Sequence, residues 1–217
     1  MTYILYLDLK KAYDLVPHSR LIEKVKRMGY GPKLIRYIEN MYKETTCAVR
    51  IQGRLSEAFK YERGVRQGCP MSPDLFNIYI NDMLDEIEGI TVPGLSEKVK
   101  GLHFADDTVV LAETRRGIEL AFEQIAEWCD ENNMEINVNK SGLMIIQALD
   151  RDQINELNLR YKNETIKIVS EYEYLGINVN DKLTLEDMAN QRINKGRQVA
   201  GIWNRVLKNN KINIKYK

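Results

Sequence analysis

Two adjacent carboxylates, Asp106 and Asp107, stand between His103-Phe104-Ala105 and the β-rich run Thr108-Val109-Val110-Leu111. That pattern predicts strand, tight turn, strand, with both acids at the tip. A third acid, Asp8, ends the apolar run Tyr3-Ile4-Leu5-Tyr6-Leu7, and such a run suits a strand covered on both faces. If the run and the hairpin lie side by side, three carboxylates meet at one sheet edge. Three anions at one point repel each other and are costly unless cations neutralise them. Hard oxygen ligands select Mg²⁺ or Mn²⁺, and a pair of such ions is a device for in-line phosphoryl transfer. Each piece alone has a plainer reading, since Asp is favoured in solvated turns on conformational grounds. The surrounding sequence has to decide.

Composition narrows the field. A chain of 217 residues is long enough for one large domain, or one domain plus a lobe. No apolar run is long enough to span a membrane and no signal peptide opens the chain, so an intracellular setting, nucleus or cytoplasm, is expected. The three cysteines, Cys47, Cys69 and Cys129, are widely spaced and form no Cys-x-x-Cys or His/Cys cluster. Reduced, packed thiols are therefore expected rather than zinc or disulfides. Net charge is only +1, but the basic residues are unevenly placed. After Asp187 there is no acid, while Arg192, Lys195, Arg197, Arg205, Lys208, Lys211, Lys215 and Lys217 are basic. A solvated helix face would account for this; so would a surface turned to phosphates.

Along the chain, Leu21, Val25 and Met28 recur at helical spacing before Gly29, and Pro32 suits the first turn of a second helix through Leu34, Ile35, Ile38 and Met41. Residues 45–51 and 55–61, separated by Gly53, predict a hairpin. The loop Arg63-Gly64-Val65-Arg66-Gln67-Gly68-Cys69-Pro70 follows. Ser72 is expected to cap the next helix, with Pro73 at its first position and an end near Gly89. A further amphipathic helix is expected over about 116–132, a strand over 143–146, and strand–turn over 172–177. A helix over about 185–208 closes the chain. Helices alternating with hairpin-type strands indicate an α+β fold. The composition shift near Asp181 divides a larger unit, 1–180, from a smaller one, 181–217.

Three segments in this order carry a resemblance: Asp8-Leu-Lys-Lys-Ala-Tyr13-Asp14, Gly64-Val-Arg66-Gln67-Gly68-Cys-Pro70-Met-Ser72-Pro73, and Phe104-Ala-Asp106-Asp107. Together they resemble the reverse transcriptase family, the RNA-directed DNA polymerases, in wording closest to the non-LTR retrotransposon type. The resemblance implies a palm, an antiparallel sheet backed by helices, and a partial helical thumb from 181. It implies nucleotidyl transfer from a deoxynucleoside triphosphate to a primer 3′-hydroxyl on an RNA template with a DNA primer. Asp8, Asp106 and Asp107 would be catalytic and would hold two Mg²⁺ ions, or Mn²⁺, with the backbone carbonyl of Leu9 as a further ligand. Tyr13 would lie beneath the sugar and exclude a 2′-hydroxyl. Gln67, Gly68 and Arg66 would bind the nucleotide. Lys140, in Asn139-Lys140, would lie near the triphosphate. Tyr174, Leu175 and Gly176 would grip the primer end, and Arg192, Lys195, Arg197, Arg205 and Lys208 would face the nucleic-acid backbone. Asp14 belongs to the motif and is read as structural.

The family's earlier finger segments have no counterpart before Asp8, and no endonuclease, RNase H or maturase signature appears. The chain is accordingly expected to be part of a longer polyprotein, and weak or inactive as an isolated fragment. A different class of function stays open beside this one: a catalytically dead nucleic-acid-binding relic or domesticated domain. A palm-fold nucleotide cyclase would share paired metals on acids but would not explain the Gln67-Gly68 loop in this order.

Overall fold

The computed structural model describes residues 1–146, 157–184 and 186–208, the side chains at 186–188, 191 and 205–207 excepted. By contacts the chain forms two units, Met1–Val169 and Ser170–Lys217. The division falls ahead of the composition shift near Asp181.

The first unit is built on β1 (Thr2–Leu7), the middle strand of five. β7 (Asp107–Ala112) pairs with it on one side and β8 (Gly142–Ile146) on the other, both antiparallel. β6 (Gly101–Phe104) continues the antiparallel order outside β7. β11 (Lys167–Ile168) runs parallel to β8, so the sheet is mixed at that edge rather than wholly antiparallel. The apolar run of β1 is explained by cover on both faces: Leu5 and Leu7 are buried on one, Tyr6 on the other. Each such side chain contributes roughly 1.5–3 kcal/mol.

Helices cover the Leu5–Leu7 face. α1 (Ala12–Leu15) is a single turn entered through Lys11 at φ 45°. α2 (His18–Arg27) and α3 (Pro32–Tyr42) follow, the second opening on proline as its fixed φ allows. α5 (Arg115–Glu131) is capped by Thr114, whose hydroxyl accepts from the Gly117 N–H at 3.0 Å. Its Ile118, Phe122 and Ile125 join Leu5, Leu7 and Val110 in one core. The free thiols of Cys47 and Cys69 are half-buried, and burial pushes that of Cys129 up to about 12.

Some expectations are corrected. α4 (Ser72–Ile80) ends well before Gly89. Met83 and Ile87 are buried from the tight turns that follow, where apolar spacing mimics a continued helix. Ser72 lies inside the helix, and its hydroxyl donates to the Arg66 carbonyl at 2.6 Å instead of capping. Met28 and Leu34 are exposed, at 48% and 39%, despite their helical spacing.

The hairpin expected over residues 45–61 is present in two pieces. β2 (Thr46–Cys47) pairs with β5 (Phe59–Lys60), and β3 (Arg50–Ile51) with β4 (Arg54–Leu55). Gln52 and Gly53, both at positive φ, close its tip, as a twisted two-strand ribbon favours. β9 (Arg160–Tyr161) and β10 (Glu164–Thr165) form a further small hairpin.

The second unit consists of β12 (Glu171–Tyr174), β13 (Ile177–Asn180) and α6 (Glu186–Leu207). Leu175 and Gly176, at φ 50° and 73°, make the turn between the two strands.

Candidate active site

The register of β1 and β7 sets the centre of the site. Leu7 lies opposite Thr108. Asp8 therefore leaves β1 at the point where Asp107 enters β7, and Asp106 occupies the turn beside it. The tip is shared unequally: Asp106 is a turn residue, whereas Asp107 is already paired with Phe104. Ala105 takes φ 54° at the first turn position, where glycine would be the relaxed choice. Burial pushes the Asp107 carboxyl above the usual range. The negative charges of Asp106 and Asp8 push it further, and Lys140 opposes them. The three acids thus sense one another across one sheet edge. Among the described residues no three His, Cys, Asp or Glu side chains gather as a ready-made metal cage.

Asp8 is tied down through several polar contacts. Its side chain is 16% exposed and its Oδ1 lies 3.9 Å from Lys140 Nζ. Asn137 Nδ2 donates to its Oδ2 at 2.9 Å. The Asp8 N–H donates to Ser141 Oγ, and its carbonyl accepts from the Asn137 N–H. Leu9 forms an antiparallel bridge with Ile136. The bonds of that bridge run through the neighbouring residues, Lys10 N–H to Glu135 and Asn137 N–H to Asp8. The Leu9 carbonyl is thereby turned the other way, toward the β7 side of β1.

Tyr13 stacks on Phe76, ring centroids 4.5 Å apart and planes at 17°. Burial raises its phenol pKa, and the charge of Asp106 raises it further, so ring and acid face a common space. Tyr13, Arg66, Gln67, Gly68, Cys69, Pro70, Ser72 and Pro73 line a cleft of about 370 Å³. The loop that carries Gln67 is fastened to α1 and its flank. Val65 N–H donates to Tyr13 and Gly64 N–H to Val16, at 2.8 and 2.7 Å, and His18 Nε2 donates to the Gly64 carbonyl at 2.8 Å. Gly64 sits at φ 92°, and a Cβ there would strike the Tyr61 hydroxyl. Gly68, at φ 80°, is required by conformation alone, because a Cβ at that position would meet nothing within 4 Å.

Gln67 Nε2 donates to Asp14 Oδ1 at 3.0 Å. A carboxylate only accepts, so the amide nitrogen must face Asp14 and the amide oxygen is turned elsewhere. Arg66 is engaged at the end of α3, donating to the Met41 carbonyl at 2.6 Å. A cation is favoured there by the unpaired carbonyls of the last turn.

The first unit brings Asp8, Leu9, Tyr13, Gln67, Gly68, Asp106, Asp107 and Lys140 to one region. Tyr174 ends β12, and Leu175 and Gly176 make the β12–β13 turn of the second unit. Arg192, Lys195 and Arg197 are exposed on α6, and Lys208 is exposed just beyond it. The Arg205 side chain, and Lys211, Lys215 and Lys217, lie outside the described residues. Sequence reasoning missed Asn137, Ser141 and Phe76. The signal for the first two was present: polar Asn137, Asn139, Lys140 and Ser141 cluster where the alternation Met134-Ile136-Val138 ends and before the run Leu143–Ile146.

The family model described as reverse transcriptase (RNA-dependent DNA polymerase) matches residues 1–179. The retrovirus-related Pol polyprotein of the type-2 retrotransposable element R2DM of Drosophila melanogaster is 27% identical over 183 residues, covering 81% of this chain and 17% of the relative. The type-1 R2 polyprotein of Nasonia vitripennis is 34% identical over 140 residues, 64% of this chain and 14% of the relative. The RNA-directed DNA polymerase from the mobile element jockey of Drosophila melanogaster is 28% identical over 186 residues, 82% and 20%. The chain thus spans a small part of the length of these relatives. Among solved structures, apo telomerase from Candida tropicalis truncated from its C-terminal domain aligns with TM-score 0.60 at 17% identity, covering 85% of this chain and 34% of that one. Telomerase of the same organism in complex with a TWJ fragment of telomeric RNA aligns with TM-score 0.60 at 16% identity, covering 85% and 29%. These two show likeness of fold.

Proposed function

The chain belongs to the reverse transcriptase family, of the non-LTR retrotransposon type, and we propose that it supplies the palm of an RNA-directed DNA polymerase. The observation that carries this reading is the meeting of Asp8 with the Asp106-Asp107 turn on neighbouring antiparallel strands, beside the cleft that Tyr13 and Gln67 line. The substrates are an RNA template, a DNA primer and a deoxynucleoside triphosphate. Residues 1–180 act as palm and 181–217 begin the thumb, whose exposed Arg192, Lys195 and Arg197 suit a phosphate backbone. The relatives' much greater length supports a role within a longer polyprotein. Free cysteines suit the nucleus or cytoplasm.

The donor set fits divalent cations. Asp8, Asp106, Asp107 and the Leu9 carbonyl offer only hard oxygens, and the mutual repulsion felt at Asp107 is what a cation would relieve. Two Mg²⁺ ions, or Mn²⁺, would be held there, and when bound they lower the pKa of the primer hydroxyl and stabilise charge on the transferring phosphate. The remaining tasks fall to the chain itself. The Tyr13 ring, braced by Phe76, forms a wall that a 2′-hydroxyl would meet. Gln67, its amide oriented by Asp14, presents an acceptor to the nucleotide or template. Gly68 lets the backbone approach closely. Lys140 Nζ holds a proton near Asp8, where the leaving pyrophosphate would receive it.

Extension of a labelled primer tests this, on RNA and on DNA templates. The 217-residue chain is compared with the same chain carried in a longer polypeptide that supplies a relative's preceding segment. RNA-templated extension is expected in the longer form, little or none in the short one, and none in either with Asp8→Asn. Extension that survives Asp8→Asn overturns the reading, as does a longer form that binds primer–template yet never extends it.

A further inference from the structure

Asp8 is held differently at each of its polar atoms, and one short turn does most of the holding. In residues 137–141 the Lys140 and Ser141 N–H groups both donate to the Asn137 carbonyl at 3.0 Å. The Ser141 hydroxyl donates to the same carbonyl at 2.9 Å and accepts from the Asp8 N–H at 3.2 Å. The Asn137 N–H donates to the Asp8 carbonyl at 2.8 Å. These bonds fix the Asp8 backbone. They leave the carboxylate free to rotate about its last bond, were it not for Asn137 Nδ2, which donates to Oδ2 at 2.9 Å. The other oxygen, Oδ1, is directed toward Lys140 Nζ at 3.9 Å, too far for a hydrogen bond.

The setting favours a lasting bond. Ser141 is buried at 5% exposure, and Ile136 and Val138, on either side of Asn137, are buried at 0% and 5%. The Asn137 backbone therefore has little room to move. The amide can present only its N–H₂ to a carboxylate, so its orientation is set by chemistry as well as by packing. A carboxylate held this way meets an incoming cation already aligned, whereas a free one must first be ordered.

We infer that Asn137 is a positioning residue for cation binding at Asp8, and that Lys140 is the charge a cation must work against at the same carboxylate. The inference rests on the reading of Asp8 as a cation ligand. It assigns opposite effects to two neighbours on one turn. Removing the Asn137 amide loosens the carboxylate and weakens cation binding, by about 10- to 100-fold if it behaves as supporting partners of metal ligands do. Removing the Lys140 ammonium takes away a positive charge close to the ligand and tightens binding, by roughly five- to thirtyfold for one charge against a divalent cation about 4–8 Å away in water-like surroundings. General damage to the fold could not produce the second result.

Mn²⁺ titrated into the full 217-residue chain and followed by electron paramagnetic resonance provides the test, with folded fraction checked by circular dichroism. Asn137→Ala keeps every backbone bond of the turn and deletes only the amide. The expected order of affinity is Lys140→Met above wild type, wild type above Asn137→Ala, and Asp8→Asn weakest. Mn²⁺ binding unchanged in Asp8→Asn would overturn the ligand reading itself, and with it this inference. Binding lost in Asp8→Asn but equal in wild type and folded Asn137→Ala would overturn the positioning role alone. Weaker binding in Lys140→Met would remove Lys140 as the opposing charge.

Discussion

Asp106→Asn should make the protein more stable without divalent cations and less stable with them. Asp106 lies in a half-buried turn and takes no part in the apolar core. Its negative charge raises the Asp107 carboxyl, together with that of Asp8, so in the cation-free protein it acts as a repulsive neighbour. A pair of unit charges about 4 Å apart in water is worth ~1 kcal/mol, and partial burial of Asp107 strengthens the effect while greater separation weakens it. Replacing Asp106 by its neutral isostere should therefore add about 0.5–1.5 kcal/mol in EDTA at low salt. Saturating Mg²⁺ reverses the order. A cation at a hundredfold excess over its dissociation constant stabilises wild type by about 2.7 kcal/mol, and the variant, short of a charged ligand, gains little. Urea denaturation at pH 7.5, with EDTA and with Mg²⁺, measures both halves. An Asn variant less stable than wild type in EDTA would show that Asp106 is held by favourable contacts and not under repulsion. Equal gains from Mg²⁺ would show that the cation does not bind at this edge.

Tyr13→Ala should cost about 0.5–1.5 kcal/mol for the lost stack on Phe76, plus the apolar area of a half-buried ring. In the longer polymerising form it should relax discrimination against ribonucleotides by up to roughly 100-fold, read as the ratio of kcat/KM values; an unchanged ratio would leave Tyr13 a packing residue only. Stability should also fall as pH drops below about 6.5, because burial lowers the pKa of both histidines, His18 and His103, beneath the unfolded value. Between the native and unfolded values the unfolded chain binds more protons, so stability is fully present above the unfolded pKa and is lost at up to about 1.4 kcal/mol per pH unit per histidine as pH falls. His103→Gln should flatten that slope in urea melts between pH 7.5 and 5.5, since the buried His103 Nε2 has no hydrogen-bond partner to receive a new proton's charge; an unchanged slope would assign the loss elsewhere.

The parts of the fold legible in the sequence are those where one periodicity rules a whole element. β1, β7 and β8 read directly, because cover on both faces demands unbroken apolar runs. α5 read to within a residue from its apolar stripe alone, and the Thr114 cap agrees with that start. The end of α4 did not, because Met83 and Ile87 keep helical spacing through turns that no longer form a helix. Met28 and Leu34 misled for a related reason: spacing marks a face, but only the neighbouring elements decide whether that face is covered. The acids were legible as a set, since repulsion among carboxylates is a property of residue type. The partners that hold them were not. Asn137 and Ser141 look like any polar turn until the Leu9–Ile136 bridge brings them against Asp8, more than a hundred residues away in sequence.

One short stretch organises a site drawn from the whole first unit. From Asp8 to Asp14 nearly every residue makes a long-range attachment. Asp8 is clasped by the Asn137–Ser141 turn on the β8 side. Leu9 turns its carbonyl toward the aspartate hairpin. Tyr13 and Asp14 carry the Gly64–Gly68 loop, through a backbone bond from Val65 and a side-chain bond from Gln67. The positive φ at Lys11 bends the chain sharply between these two sets of contacts, so that the end of a buried strand and a single helical turn address the same space. A residue in that conformation costs of order 1 kcal/mol and persists only where its surroundings hold it. Here the surroundings are the two attachments themselves. The residues proposed as cation ligands, sugar wall and nucleotide loop are thus referred to one strand end, which is the condition for holding reacting groups within a fraction of an ångström.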